Sequence, residues 1–217
     1  MIELKGITKT YDKRINILDN VSLTIENGEY LEIIGRSGSG KSTFLNLIGL
    51  LESNYSGELI YNGKSTKHLN DMQISRIRNE LIGFIFQSYN LIPSLTVYEN
   101  IILPFIYSNK KMTIDLKTHI KSLTEELMIN DLLNKQIQFL SGGEKQRVAI
   151  CRALCLSPSI ILADEPTGNL DPLNSEIVFD VLKRLSIKGT TIVLVTHNQS
   201  IDVEADRILT LHGGKFT

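Results

Sequence analysis

The stretch Tyr30-Leu31-Glu32-Ile33-Ile34-Gly35-Arg36-Ser37-Gly38-Ser39-Gly40-Lys41-Ser42-Thr43 decides the fold. A short, mostly apolar run over Leu31 to Ile34 reads as a strand. It feeds a glycine-rich turn, and helical periodicity begins at Lys41. The spacing G-x-x-x-x-G-K-S from Gly35 to Ser42 is that of a phosphate-binding loop, and the order strand, loop, helix gives the spacing its meaning. Glycines at 35, 38 and 40 let backbone N–H groups approach phosphate oxygens closely. The helix N-terminus adds the positive end of its dipole. Lys41 supplies a point charge for the β- and γ-phosphates, and the Ser42 hydroxyl is placed to ligate Mg²⁺. Gly35, Arg36, Ser37, Gly38, Ser39, Gly40, Lys41, Ser42 and Thr43 together imply a nucleoside-triphosphate site.

Strand and helix patterns alternate outward from this loop. Ile2 to Thr8 and Asn16 to Ile25 read as strands, and a helix over Lys41 to Leu51 turns Phe44, Leu45, Leu47, Ile48 and Leu51 inward. A short strand at Glu58 to Tyr61 precedes a turn at Asn62-Gly63. A polar helix over Asp71 to Asn79 leads to an apolar strand from Leu81 to Phe86. Between about 88 and 157 the pattern is helical, with segments near Asp115 to Met128, Asp131 to Asn134 and Glu144 to Leu156. Strands then recur at Ile160 to Ala163, Thr191 to Val195 and Arg207 to Leu211, separated by an amphipathic helix over Asn174 to Leu185. This alternation predicts an α/β fold with a mostly parallel sheet covered on both faces. The expected division is a core of 1–87 and 158–217 with a helical insertion at 88–157.

The chain has 217 residues and a net charge of −1. That length suits one substantial domain. The near-neutral charge gives no electrostatic pull toward nucleic acid. No window approaches ~18 uninterrupted apolar residues, so no membrane span is expected. The apolar run Asn100 to Tyr107 is short and interrupted by Pro104. The opening Met1-Ile2-Glu3-Leu4-Lys5 is strand-like and charged rather than a signal peptide. Cys151 and Cys155, four apart on a predicted helix, are expected as reduced, core-facing thiols.

Further residues complete a site. Ile160 to Glu165 is an apolar strand ending in two carboxylates. In phosphate-loop folds such a strand is expected beside the loop's own strand, with Asp164 at the Mg²⁺ end. Glu165 is then free to polarise an attacking water. Gln87 ends another strand, either as an ordinary polar terminus or as a group touching Mg²⁺ or water. His197 follows a strand at the sheet edge where open α/β sheets bind ligands, and can donate to a transferring phosphate.

Leu140-Ser141-Gly142-Gly143-Glu144-Lys145-Gln146-Arg147 resembles the signature of ABC-type ATPases. Other stations are similar to that family as well: residues 35–43 to Walker A, Gln87 to the Q-loop, 160–165 to Walker B, Asn169-Leu170-Asp171 to the D-loop and His197 to the switch histidine. The resemblance implies that Tyr11 stacks on adenine. It also implies that Ser141, Gly142, Gly143, Glu144 and Asp171 contact ATP across a head-to-tail homodimer, with Ser42, Gln87 and Asp164 around Mg²⁺. Phe84 to Pro93, Leu95 to Pro104, Leu45 to Gly49 and Ala163 to Asp171 look like the macrolide-export and lipoprotein-release branch. That branch implies an ATPase on the cytoplasmic face of the cell membrane, working through a separate permease met near Gln87 to Asn100. Export of peptide, antibiotic or lipoprotein is the implied work, with signalling, cell-wall force relay and a soluble nucleic-acid ATPase as alternatives. The chain stops soon after its last strand, so a C-terminal regulatory domain is not expected. Three positions depart from the branch: Glu32 within the loop's strand, expected to face outward or toward an interface; Asn198 after His197; and Cys151 in the signature helix.

Overall fold

The computed structural model describes residues 1–11, 15–108, 110–168, 170–197 and 205–217. Asn169 and Asn198 lie outside them. Two sheets share the strands. β1 (Ile2–Thr10), β2 (Asn16–Ile25), β4 (Ser56–Tyr61) and β5 (Lys64–Ser65) form an antiparallel sheet in the order β2-β1-β4-β5. The second sheet contains β3 (Tyr30–Ile34), β6 (Ile82–Ile85), β7 (Ile160–Asp164), β8 (Thr191–Thr196), β9 (Arg207–His212) and β10 (Lys215–Phe216). Its order is β10-β9-β3-β8-β7-β6, parallel throughout except for the β9–β10 hairpin.

The helices are α1 (Lys41–Ile48), α2 (Asp71–Leu81), α3 (Val97–Ile106), α4 (Ile114–Glu126), α5 (Gly142–Leu154) and α6 (Pro172–Ile187). Alternating side chains of the large sheet divide between two cores. Leu31, Ile33, Leu162, Val193 and Val195 pack with Phe44, Leu45, Leu47 and Ile48 of α1 and with Ile2, Leu4, Ile7 and Leu18 of the small sheet. Tyr30, Ile161, Ala163, Ile192 and Leu194 pack on the other face with Ile101, Leu123, Val148, Cys151, Val178 and Leu182 from α3 to α6. Helical residues from the 88–157 stretch therefore share one continuous core with a face of the sheet. Cover on both faces explains why these strands read as unbroken apolar runs. Cys151 and Cys155 are free and buried, and burial pushes both thiols up from their ordinary range.

Three sequence expectations are corrected. β8 lies between β3 and β7, so the carboxylate strand is one removed from the loop's strand. α1 packs against both β7 and β8, which carries its first turn toward the end of β7. α1 also stops at Ile48; Leu51 is exposed, and Leu50 turns inward instead through a left-handed backbone at φ 58°. The apolar run around Pro104 lies in α3, which opens with a capping box from Thr96 and Glu99; Pro104 falls in the last turn and forgoes one i to i−4 N–H bond there. Glu32 is buried at 3% exposure rather than outward-facing. Its strand is hydrogen-bonded to β8 and β9 on either side and covered above and below, so no outward face exists. Among the described residues no helix is long and apolar enough to cross a membrane.

Candidate nucleotide site

Strand register brings the chemistry to one edge of the sheet. Ile34 pairs with Thr196, Val195 with Asp164, and Ala163 with Ile85. Gly35, Asp164, Glu165, His197 and Gln87 therefore all lie at or just past the C-terminal ends of neighbouring parallel strands, where such sheets bind ligands. The Gly35 N–H donates to the Thr196 carbonyl at 3.3 Å, and the Glu165 N–H donates to that of Val195 at 3.0 Å.

The phosphate loop crosses from β3 to α1 with Arg36, Ser37 and Gly38 exposed at its crest. Gly40, its last residue before α1, has φ 103°, and a Cβ there would lie 2.9 Å from the Ile17 carbonyl oxygen. Only glycine satisfies both constraints. Gly40 has no side chain to cap α1, whereas α2 to α6 are capped by Asn70, Thr96, Thr113, Ser141 and Asp171. The first turn of α1 also contains no acidic residue of its own. The Ser39 hydroxyl is buried with no hydrogen-bond partner among the described residues. Such orphan donors suit an anion. Lys41 is buried, donates to the carbonyls of Gly35 at 2.7 Å and Arg36 at 3.2 Å, and approaches the Glu165 carboxylate at 3.9 Å. Thr43 follows inside the first turn of α1.

Two adjacent carboxylates do different work here. The Asp164 carboxyl is raised by burial and, less, by the neighbouring Glu165 charge; a hydrogen bond with Ser42 and the Lys41 charge oppose the shift. Ser42 and Asp164 thus offer a hydroxyl and a carboxylate to one hard cation. The described residues hold no cluster of three or more His, Cys, Asp or Glu able to bind a metal alone. That donor set fits Mg²⁺, which keeps waters and shares phosphate oxygens. Glu165 adopts φ 44°, unusual for a residue with a side chain, and its carboxylate accepts a hydrogen bond from His197 Nδ1 while facing Lys41. Gln87 is exposed, two residues beyond β6.

The glycine-rich segment at 141–143 has a different neighbourhood. Ser141 is the N-cap of α5, which opens at Gly142, two residues before the sequence-based expectation. The Glu144 carboxylate accepts from the Ser141 N–H at 2.7 Å and hydroxyl at 2.8 Å. These bonds hold that carboxylate below its ordinary range. Glu144 therefore folds back onto the start of its own helix. Gly142 lies against the Tyr89 hydroxyl and Gly143 against Asn174. Asp171 caps α6, accepting from the Asn174 N–H at 3.0 Å, and Arg147 of α5 donates to Asn174. The groups nearest Gly35 and Gly40 are those of Ser39, Leu211 and Ile17.

The family description "ABC transporter" matches residues 18–168. The chain belongs to the ABC transporter family. It is 42% identical over its full length to a macrolide export ATP-binding/permease protein MacB of Aggregatibacter actinomycetemcomitans, covering 34% of that protein. It thus spans about a third of the length of such relatives. A lipoprotein-releasing system ATP-binding protein LolD of Myxococcus xanthus is 39% identical, with 100% of this chain and 98% of that one covered. A dimeric structure of MJ0796, a bacterial ABC transporter cassette, superposes with a TM-score of 0.92 at 41% identity over 100% of this chain and 96% of that one. A post-hydrolysis dimer of the same cassette bound to ADP and Pi also has a TM-score of 0.92. The α/β fold is thus that of an ABC ATPase cassette.

Sequence reading missed several residues that organise this ABC cassette. Tyr89 and Asn90 hold left-handed backbones at φ 63° and 50°, and Arg152 of α5 donates to both of their carbonyls. This ties the segment after Gln87 to the signature helix. Nothing in local spacing marks Arg152, because its partners lie far away in sequence. Tyr11 is 63% exposed, with the Lys9 ammonium 4.6 Å from its ring centroid.

Proposed function

We propose that the chain binds and hydrolyses ATP as the energising subunit of an exporter, in a head-to-tail pair of identical copies. The observation that carries this reading is the meeting of Lys41, Glu165 and His197 at the uncapped start of α1. Amides of residues 35–43 and the Lys41 ammonium take the phosphates. Ser42, Asp164 and, beside them, Gln87 would hold Mg²⁺, which supplies charge neutralisation at the β- and γ-phosphate oxygens. Glu165 polarises the attacking water. His197 holds that carboxylate through Nδ1, so its Nε2 donates to a phosphate only in the imidazolium form.

Ser141 to Gly143 of the second copy close over the γ-phosphate, with Asp171 at the joint. ATP favours the closed pair, and hydrolysis removes the bridging group. The dimeric solved relatives support this arrangement. A cleft of about 730 Å³ lies between α2, the start of the 88–157 stretch and α5, floored by Phe84 and Phe86 and rimmed by Asn90, Tyr107 and Arg152. Asn90, within the segment Gln87 to Asn100, lines it, and the cleft suits a helical segment of a membrane permease. The names of the macrolide-export and lipoprotein-releasing relatives support an exporter at the cytoplasmic face of a membrane.

Glu165→Gln keeps the shape of the side chain and removes the base. The variant should lose ATP turnover yet elute as a dimer with saturating ATP and Mg²⁺. A monomeric elution with bound ATP would overturn the sandwich.

A further inference from the structure

We infer that Lys9 is a positioning residue for the nucleotide base, acting through Tyr11. This rests on the reading that Tyr11 stacks on adenine. Lys9 is a cation at 2% exposure, which demands fixed partners. It donates to the Asn54 carbonyl at 2.7 Å and pairs with the Glu52 carboxylate at 3.0 Å. Glu52 is held below its ordinary range mainly by the Asn54 N–H, with Lys9 adding to the shift, so the carboxylate is charged at neutral pH. Two partners and burial leave the ammonium little freedom. It faces the Tyr11 ring, 4.6 Å from the centroid. A cation over one face of an aromatic ring holds the ring against it. Tyr11 is otherwise exposed, so the opposite face is available to a flat base.

The placement is right for the base end of the site. Thr10 pairs with Asn16, and the next residue, Ile17, is the one packed on Gly40. Tyr11 therefore leaves the sheet beside the exit of the phosphate loop. Glu52 and Asn54 lie just beyond α1, the helix that begins with Lys41. Lys9 thus links the strand that presents the ring to the segment following the helix that holds the phosphates. No other part of the proposed mechanism uses a buried cation here.

The test compares binding of ATP with binding of inorganic tripolyphosphate, both without Mg²⁺, by titration calorimetry. Tripolyphosphate reports the phosphate loop alone, and the ratio of the two affinities reports the base. Lys9→Met should weaken ATP binding roughly two- to thirtyfold and leave tripolyphosphate unchanged. In a Tyr11→Ala background the same substitution should add nothing, because the lysine acts through the ring. Glu52→Ala removes a partly exposed partner of the ammonium and should lower the ratio in the same direction. It serves if Lys9→Met does not fold. A folded variant of either kind with the parental ratio, while Tyr11→Ala lowers it, overturns the role of Lys9 alone. A parental ratio in Tyr11→Ala overturns the stacking reading, and the assignment of Lys9 with it.

Discussion

Glu32 is a carboxylic acid in the middle of the strand that delivers the phosphate loop. Burial holds its carboxyl above the ordinary range; burial, and less the Glu32 charge, also raises the neighbouring Tyr30 hydroxyl. A group bound more tightly by protons in the folded state contributes stability that is full below its unfolded pKa. That stability is lost as pH rises through the folded value. Glu32→Gln keeps the shape and removes the charge. The variant should melt at a higher temperature than the parent near about pH 8, with the gap closing as pH falls toward the usual carboxylate range of about 4. An equal gap at both ends would assign the effect to packing rather than ionisation. Glu165 shows the other use of a carboxylate: a positive φ, the Lys41 ammonium and the His197 ring aim it at the site. Its position after an apolar strand was legible in sequence. Its bond to His197 was not, because the two are separated by a helix and a strand.

Elements meet here through small contacts with large consequences. Gly49 closes α1, and a Cβ there would collide with the Phe84 ring of β6 and lie 2.9 Å from the Leu45 carbonyl oxygen. Phe84 stacks on Phe86 with centroids 5.0 Å apart, so it cannot retreat without moving a wall of the cleft. Gly49→Ala should destabilise the chain by about 1–3 kcal/mol, as overpacking does, measured by urea unfolding. It should also perturb the cleft while leaving the register at Asp164 intact. Helix existence was readable from periodicity for α1, α2 and α4 to α6. α3 lay within the stretch read as helical, and its capping box at Thr96 and Glu99 is a local signal that marks where it starts.

At the scale of the whole molecule the two anion-binding motifs face different surroundings. The start of α1 is open and cationic; the start of α5 is capped by Ser141 and Glu144 and leans on Tyr89 and Asn174. In a head-to-tail pair each ATP would use the first motif of one copy and the second of its partner. Lys41→Ala should abolish ATP binding at its own loop, and Ser141→Arg should block closure from its own signature. Neither variant alone should hydrolyse ATP. Mixed together, they form pairs in which the intact loop of one copy meets the intact signature of the other, and activity should return. An inactive mixture of well-folded chains would count against sharing of the site.

The sequence alone determined the strand–loop–helix at 35–43, the carboxylate pair at 164–165 and the parallel α/β class. Those depend on local spacing and on the periodicity of buried side chains, which a chain carries in one dimension. Tertiary structure decided the insertion of β8 between β3 and β7, the burial of Glu32 and the seating of Lys9 on Glu52 and Asn54. Each of these depends on which distant segments become neighbours. A strand's order in a sheet and a side chain's partner are set by packing across the whole core, and no local pattern encodes them.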